Sequence, residues 1–192
     1  MKRWIALAAL VGLVAACSQP EETAERLDLG DFVLGHNVVV APDLQKGPTS
    51  RNAEPEELIA AVQAAVDNRL GKYDGDRLVH LGINIGGYAL GRRGIPLVYT
   101  PKSAFVVTVS VWDDRAGEKF TKEPKQILVF ENFGDGAIIG TGYTRTREQQ
   151  IATLAANTAR KIEAYLAENA VCMTDEATEK ELEACWPLDA AN

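Results

Sequence analysis

The chain has 192 residues, 46% of them hydrophobic and 24% charged, with a net charge of −7 and a pI near 4.9. That balance belongs to globular chains and excludes disordered or collagen-like ones, and the length fits one domain with a tail. The acidity excludes a nucleic-acid binder, which needs a basic face for phosphate, and 2 histidines leave little room for a His-based metal site.

Lys2 and Arg3 form a basic start, Trp4 to Val14 is an uncharged apolar run, and the small residues Ala15 and Ala16 follow. The run is too short to cross a bilayer as a helix, and charge, apolar run and small residues stand in the order of a secretory signal. Residues 1–16 therefore read as a signal peptide. Cleavage there removes two cations and no acid, which takes the net charge from −7 to −9.

Val14-Ala15-Ala16-Cys17 resembles the lipobox of bacterial lipoproteins. The resemblance covers the first seventeen residues, with Val in place of the commoner Leu at the first position. It implies that Cys17 becomes the N-terminus, carries a diacylglycerol thioether and an acyl group such as palmitate, and anchors the chain. Each buried CH₂ contributes about 0.8 kcal/mol, so two or three chains hold where one does not. Ser18 in place of Asp resembles outer-membrane sorting in enteric bacteria. An acidic chain gains nothing from anionic headgroups, so lipid and not charge provides the attachment.

Residues 17–30 read as the lipidated Cys and a polar tether; nine residues from Ser18 to Arg26 span about 30 Å when extended. An α/β domain is expected over 31–170. Phe32 to Ala41 predicts a strand with Phe32, Leu34, Val38 and Val40 on one face, and Gly35 marks a bulge or bend. Pro55 after Glu54 opens a helix with the apolar stripe Leu58, Val62, Ala65 and Arg69, flanked by Ile59, Val66 and Leu70 and stopped by Gly71. Val79, Leu81, Ile83 and Ile85 alternate with His80, Gly82, Asn84 and Gly86, a strand buried on one side. Phe105 to Trp112 is the clearest strand, and Asp113 to Gly117 a hairpin loop. Gln126 to Phe133 is the last strand. A helix from Arg147 to Glu168 starts at a capping box of Thr146 and Gln149 and ends at Asn169. Its apolar face holds Ile151, Leu154, Ala155, Thr158, Ile162, Tyr165 and Leu166, with Arg160, Lys161 and Glu163 off it. The order β-α-β-β-β-α predicts an α/β two-layer sandwich: a four-stranded mixed sheet with a parallel first pair, an antiparallel meander and two helices on one face.

Residues 171–192 read as a disulfide-tied short helix and tail. Export places Cys172 and Cys185 where a disulfide persists. A continuous helix between them would hold them about 15 Å apart, beyond the roughly 7 Å limit for a bridge, so the helix within Thr174–Ala184 must be short and the chain must double back. No further ligand is spaced for a zinc site.

Chemistry is harder to find. Gly134 to Gly142 follows a strand and precedes a helix, but its spacing matches no dinucleotide or P-loop fingerprint. His36 and His80 read as solvent-facing strand residues, Asp113 and Asp114 as solvated turn residues, and neither Ser103 nor Ser110 sits in a nucleophile elbow. Arg92 and Arg93 at a loop tip, with Tyr88, Leu97, Val98 and Tyr99 nearby, form a candidate interaction loop, and Arg145 and Arg147 stand at a helix start. No catalytic residue, metal ligand or cofactor is nominated. The expectation is a non-enzymatic binding, accessory or assembly module, anchored to the Gram-negative envelope at the outer membrane and facing the periplasm. An exposed sheet edge or loop 90–102 would engage an envelope protein or lipid. The element order resembles accessory lipoproteins of lipopolysaccharide assembly and of envelope ABC transporters. A periplasmic enzyme with a dispersed site is the competing expectation.

Overall fold

A computed structural model describes residues 26–92, 103–131 and 145–187. In chain order the elements are β1 (Phe32–Val40), β2 (Gln45–Lys46), α1 (Pro55–Leu70), β3 (Arg77–Ala89), β4 (Ala104–Asp113), β5 (Glu118–Lys119), β6 (Lys125–Phe130) and α2 (Arg147–Glu168). A 3₁₀ turn (Ala170–Met173) and α3 (Glu179–Ala184) close the described chain. β1 pairs with β3 in parallel, and β3, β4 and β6 form the antiparallel meander. Two-residue strands add to the expected four: β2 extends the β1 side along β3, and β5 pairs with the end of β4.

The α/β sandwich is therefore the expected one. Val79, Leu81, Ile83 and Ile85 of β3 and Phe105, Val107, Val109 and Val111 of β4 are buried beneath the two long helices, with Ile127 and Val129 of β6 beside them. Leu58, Val62, Val66 and Leu70 form the buried row of α1, and Ile151, Leu154, Ile162 and Leu166 that of α2. Each such side chain contributes about 1.5–3 kcal/mol by leaving water. Pro55 opens α1 with Glu56 and Glu57 in its first turn, and Thr146 and Gln149 close the reciprocal capping box of α2. Gly117 ends the hairpin loop at φ 68°, a conformation that residues with a Cβ disfavour.

Three local readings change. β1 carries one extra residue between Leu34 and Asn37, so the side-chain phase reverses there. Phe32 faces the core, but beyond the bulge it is Asn37 and Val39 that turn inward, and Val38 and Val40 are exposed. Gly71 ends α1 at φ −68°; its role is space, since a Cβ would meet the Asp67 carbonyl at 2.6 Å. Leu29 is buried, so the core reaches back before residue 31.

Glu163 also changes place. It lies 1% exposed between α2 and α1, where Arg69 Nε donates to its Oε2 at 2.7 Å and the Tyr73 hydroxyl donates to its Oε1 at 2.8 Å. α2 is covered on two sides, by the sheet and by α1, so its buried arc is wider than its apolar stripe. Burial, then the hydrogen bond and charge of Glu163, push the Tyr73 phenol above its ordinary range. The same hydroxyl lies 3.0 Å from the Leu27 carbonyl, and Arg26 Nη1 donates to the Lys72 carbonyl at 3.0 Å. These contacts fasten the N-terminal segment to the helix layer.

The C-terminal segment folds back as the Cys172–Cys185 disulfide requires. The Cα atoms are 5.9 Å apart, because the helix between the cysteines spans only Glu179–Ala184 and Thr174 to Thr178 forms the return. Trp186 then packs against Phe120 and Tyr165, and its backbone N–H donates to Asn169 Oδ1 at 2.7 Å.

Candidate functional site: the helix-free sheet face

Both long helices cover one face of the sheet, and the residues that alternate with the core positions therefore point away from them. On β3 and β4 this outer set is Leu78, His80, Gly82 and Asn84 opposite Thr108, Ser110 and Trp112, with His80 paired to Trp112 and Gly82 to Ser110. The middle is low and polar: a Cβ added at Gly82 would meet only Ser110 Cβ, at 4.0 Å. The margins are apolar. Val38 and Val40 on β1, Leu128 and Phe130 on β6, and Leu78 and Trp112 towards one end are all exposed. Val38 is 55% exposed and Leu128 47%, well outside the range of core positions. Scattered surface apolar residues are normal, but six on the same face of four adjacent strands form a patch.

Side-chain hydrogen bonds join each edge strand to a helix. Asn37 Nδ2 donates to the Gln63 carbonyl and to Asp67 Oδ1, both at 3.0 Å, and Gln63 Nε2 returns to the Asn37 carbonyl at 3.4 Å. On the far side Asn157 Nδ2 donates to the Phe130 carbonyl at 2.8 Å. These contacts occupy the Asn37 carbonyl of β1 and the Phe130 carbonyl of β6.

His36 and His80 meet on this face. Their rings stack with centroids 4.9 Å apart, and His80 Nε2 lies 3.0 Å from Asp114 Oδ1. Asp114 is the solvated turn residue that was expected, but Asp113 is not. Asp113 is 3% exposed and takes Arg77 Nη2 at 2.7 Å. Burial alone would raise its pKa, but the Arg77 guanidinium and the backbone N–H of Arg115 outweigh that and hold the carboxyl below the usual aspartate range. A depressed carboxyl stabilises the fold above its ordinary pKa, and that contribution disappears as pH falls through the lower, folded value. Asp113→Asn should therefore lower stability at pH 7 and flatten the loss of stability below about pH 4, as followed by urea unfolding across pH. An acid limb as steep as that of the unaltered chain would contradict this.

The arginines expected in two places come together at one pole. Arg92 Nε donates to the Ser50 carbonyl at 3.2 Å, Arg51 Nη1 to the Arg145 carbonyl at 3.3 Å, and Arg147 Nη1 to Glu57 Oε2. Arg145 Nη1 donates to Thr153 Oγ1 at 2.9 Å and faces the buried Glu131 at 3.6 Å. They tie the segment around Ser50 to the start of α2. Tyr88 does not belong to an interaction loop: it is 7% exposed, and its hydroxyl bonds the backbone of Ala53. Ser103 is buried and accepts the Gly91 N–H at 3.0 Å. Cys17, Arg93, Leu97, Val98, Tyr99 and the Gly134–Gly142 segment lie outside the described residues. Among the described residues no three His, Cys, Asp or Glu side chains gather to hold a metal, and no helix is long and apolar enough to cross a membrane.

The outer face itself was hidden in the sequence by the β1 bulge, which makes Val38 and Val40 look like core. The visible signal was the repeat of Leu128 and Phe130 out of phase with Ile127 and Val129.

No family model matches the chain, and no curated protein matches it. Among solved structures, the chain is similar to a Xanthomonas campestris protein of the family DUF330, at 12% identity and a TM-score of 0.36 over 70% of this chain and 90% of that one. It is similar to a minor lipoprotein from Acinetobacter baumannii, at 16% identity and a TM-score of 0.31 over 72% and 95%. A Chlamydia trachomatis protein aligns at 12% identity and a TM-score of 0.34 over 70% and 100%. Likeness at this level carries no conclusion about activity.

Proposed function

We propose that the chain is a lipid-anchored module of the Gram-negative cell envelope, held at the outer membrane through Cys17, that binds a protein partner on its helix-free sheet face. The observation that carries this reading is the apolar margin of Val38, Val40, Leu128, Phe130, Leu78 and Trp112 around a low polar middle. Exposed apolar side chains gathered on one sheet face mark an interaction site. A net charge of −9 after cleavage works against anionic lipid as the occupant. The partner belongs to an envelope assembly or transport complex, such as one for lipopolysaccharide or an ABC transporter. The contribution of this chain is binding and positioning rather than bond chemistry.

The anchor is tested by Cys17→Ala with a radiolabelled fatty acid and membrane fractionation. The variant is expected to lose the label and leave the membrane fraction. Retention of both would remove the anchor from this reading.

A further inference from the structure

The two histidines of the chain are built into the bulge of β1 in a way that depends on protonation. The extra residue lies between Leu34 and Asn37, and the backbone N–H of His36 within it donates to His80 Nδ1 at 2.8 Å. The ring can come this close because position 35 is glycine: a Cβ there would collide with His80 Nδ1 and lie 2.6 Å from Cε1. A backbone N–H can only donate, so Nδ1 carries no proton. The ring proton is on Nε2, which donates to Asp114 Oδ1 at 3.0 Å. The neutral ring thus satisfies both neighbours with one tautomer.

We propose that this cluster is a pH-sensitive latch for edge strand β1, closed when His80 is neutral and opened by its protonation. A second proton must go on Nδ1, where it confronts the His36 N–H as donor against donor, and that hydrogen bond is lost. His36, stacked on the ring from β1, adds a second cation when it is protonated. Among the described residues, Asp114 from the turn after β4 bonds the His80 ring, and Lys119 of β5 lies against the neighbouring Trp112, its Nζ 5.1 Å from that ring's centre. Asp114 favours the charged ring but has 56% of its side chain in water, and it draws on Nε2, the side of the ring away from the latch. It therefore holds the ring without replacing the lost bond. Opening frees the Gly35–His36 backbone and shifts Val38 and Val40, which follow the bulge on the same strand. The latch stands on the described geometry and does not depend on any partner.

The test is an NMR titration of the intact chain from pH 8 to pH 5. At pH 8 the His80 ring nitrogens should report a proton on Nε2 alone, with the His36 amide protected from exchange. At pH 5 the protection factor of that amide should fall by about tenfold or more, while the amides of Leu81 and Ile83 keep theirs. In His80→Asn, Oδ1 replaces the acceptor and cannot be protonated in this range, so protection of the His36 amide should no longer depend on pH. A proton on Nδ1 at pH 8 would overturn the latch. So would unchanged His36 protection once the His80 ring is charged, or the same pH-dependent loss in His80→Asn.

Discussion

Replacing Glu163 by leucine is expected to lower stability by about 3 kcal/mol, the lower part of the range for breaking a buried ion pair. The substitution leaves Arg69 facing an apolar side chain, and it takes from Tyr73 the acceptor that its hydroxyl uses at 2.8 Å. The loss stays at the lower end because the Arg69 side chain is 22% exposed and can turn towards water, and because the Tyr73 hydroxyl still has the Leu27 carbonyl. Replacing both partners, Arg69→Met with Glu163→Met, should recover most of the loss, since no buried charge is then left alone. Urea unfolding of the two variants checks this. A Glu163→Leu loss below about 1 kcal/mol would mean that the pair does not hold the helices together.

The second large effect separates two adjacent residues of one strand. Val39→Asp should cost several kcal/mol, because Val39 is 7% exposed against the core and an unpaired carboxylate there loses its water. Val38→Asp should change stability by less than about 0.5 kcal/mol, as at ordinary surface positions. Simple alternation from Phe32 predicts the reverse, since it counts Val38 as inside and Val39 as outside. Thermal unfolding of the two variants decides between them: equal costs, or a larger cost at Val38, would remove the bulge and with it the β1 part of the apolar margin.

That pair shows where the sequence was legible and where it was not. Regular alternation over Val79 to Ile85 and Phe105 to Val111, and the Thr146–Gln149 capping box, are repeating or local patterns, and they gave the strands, the meander and the start of α2 directly. Gly35 carried the bulge as a hint, but the hint did not say on which side the phase would change. Glu163, Asp113 and Tyr88 were misplaced for a common reason. Each is buried by a partner 35 to 94 residues away, Arg69 with Tyr73, Arg77, and the Ala53 backbone, and no local pattern announces such a partner. The candidate site was the least legible part. It consists of residues left uncovered, and which side of a sheet the helices leave bare is settled by packing, not by any motif.

The docking face is tested most directly by placing a photoreactive amino acid, one position at a time, in the full lipid-anchored chain in living cells. Positions Val38, Trp112 and Leu128 sample the outer sheet face; Ala152, Lys161 and Glu168 sample the exposed side of α2. Crosslinks from the three sheet positions to one common protein, with none to that protein from the helix positions, are the predicted result. Crosslinks to that protein from the helix positions alone, or sheet positions that capture nothing but lipid, would contradict it.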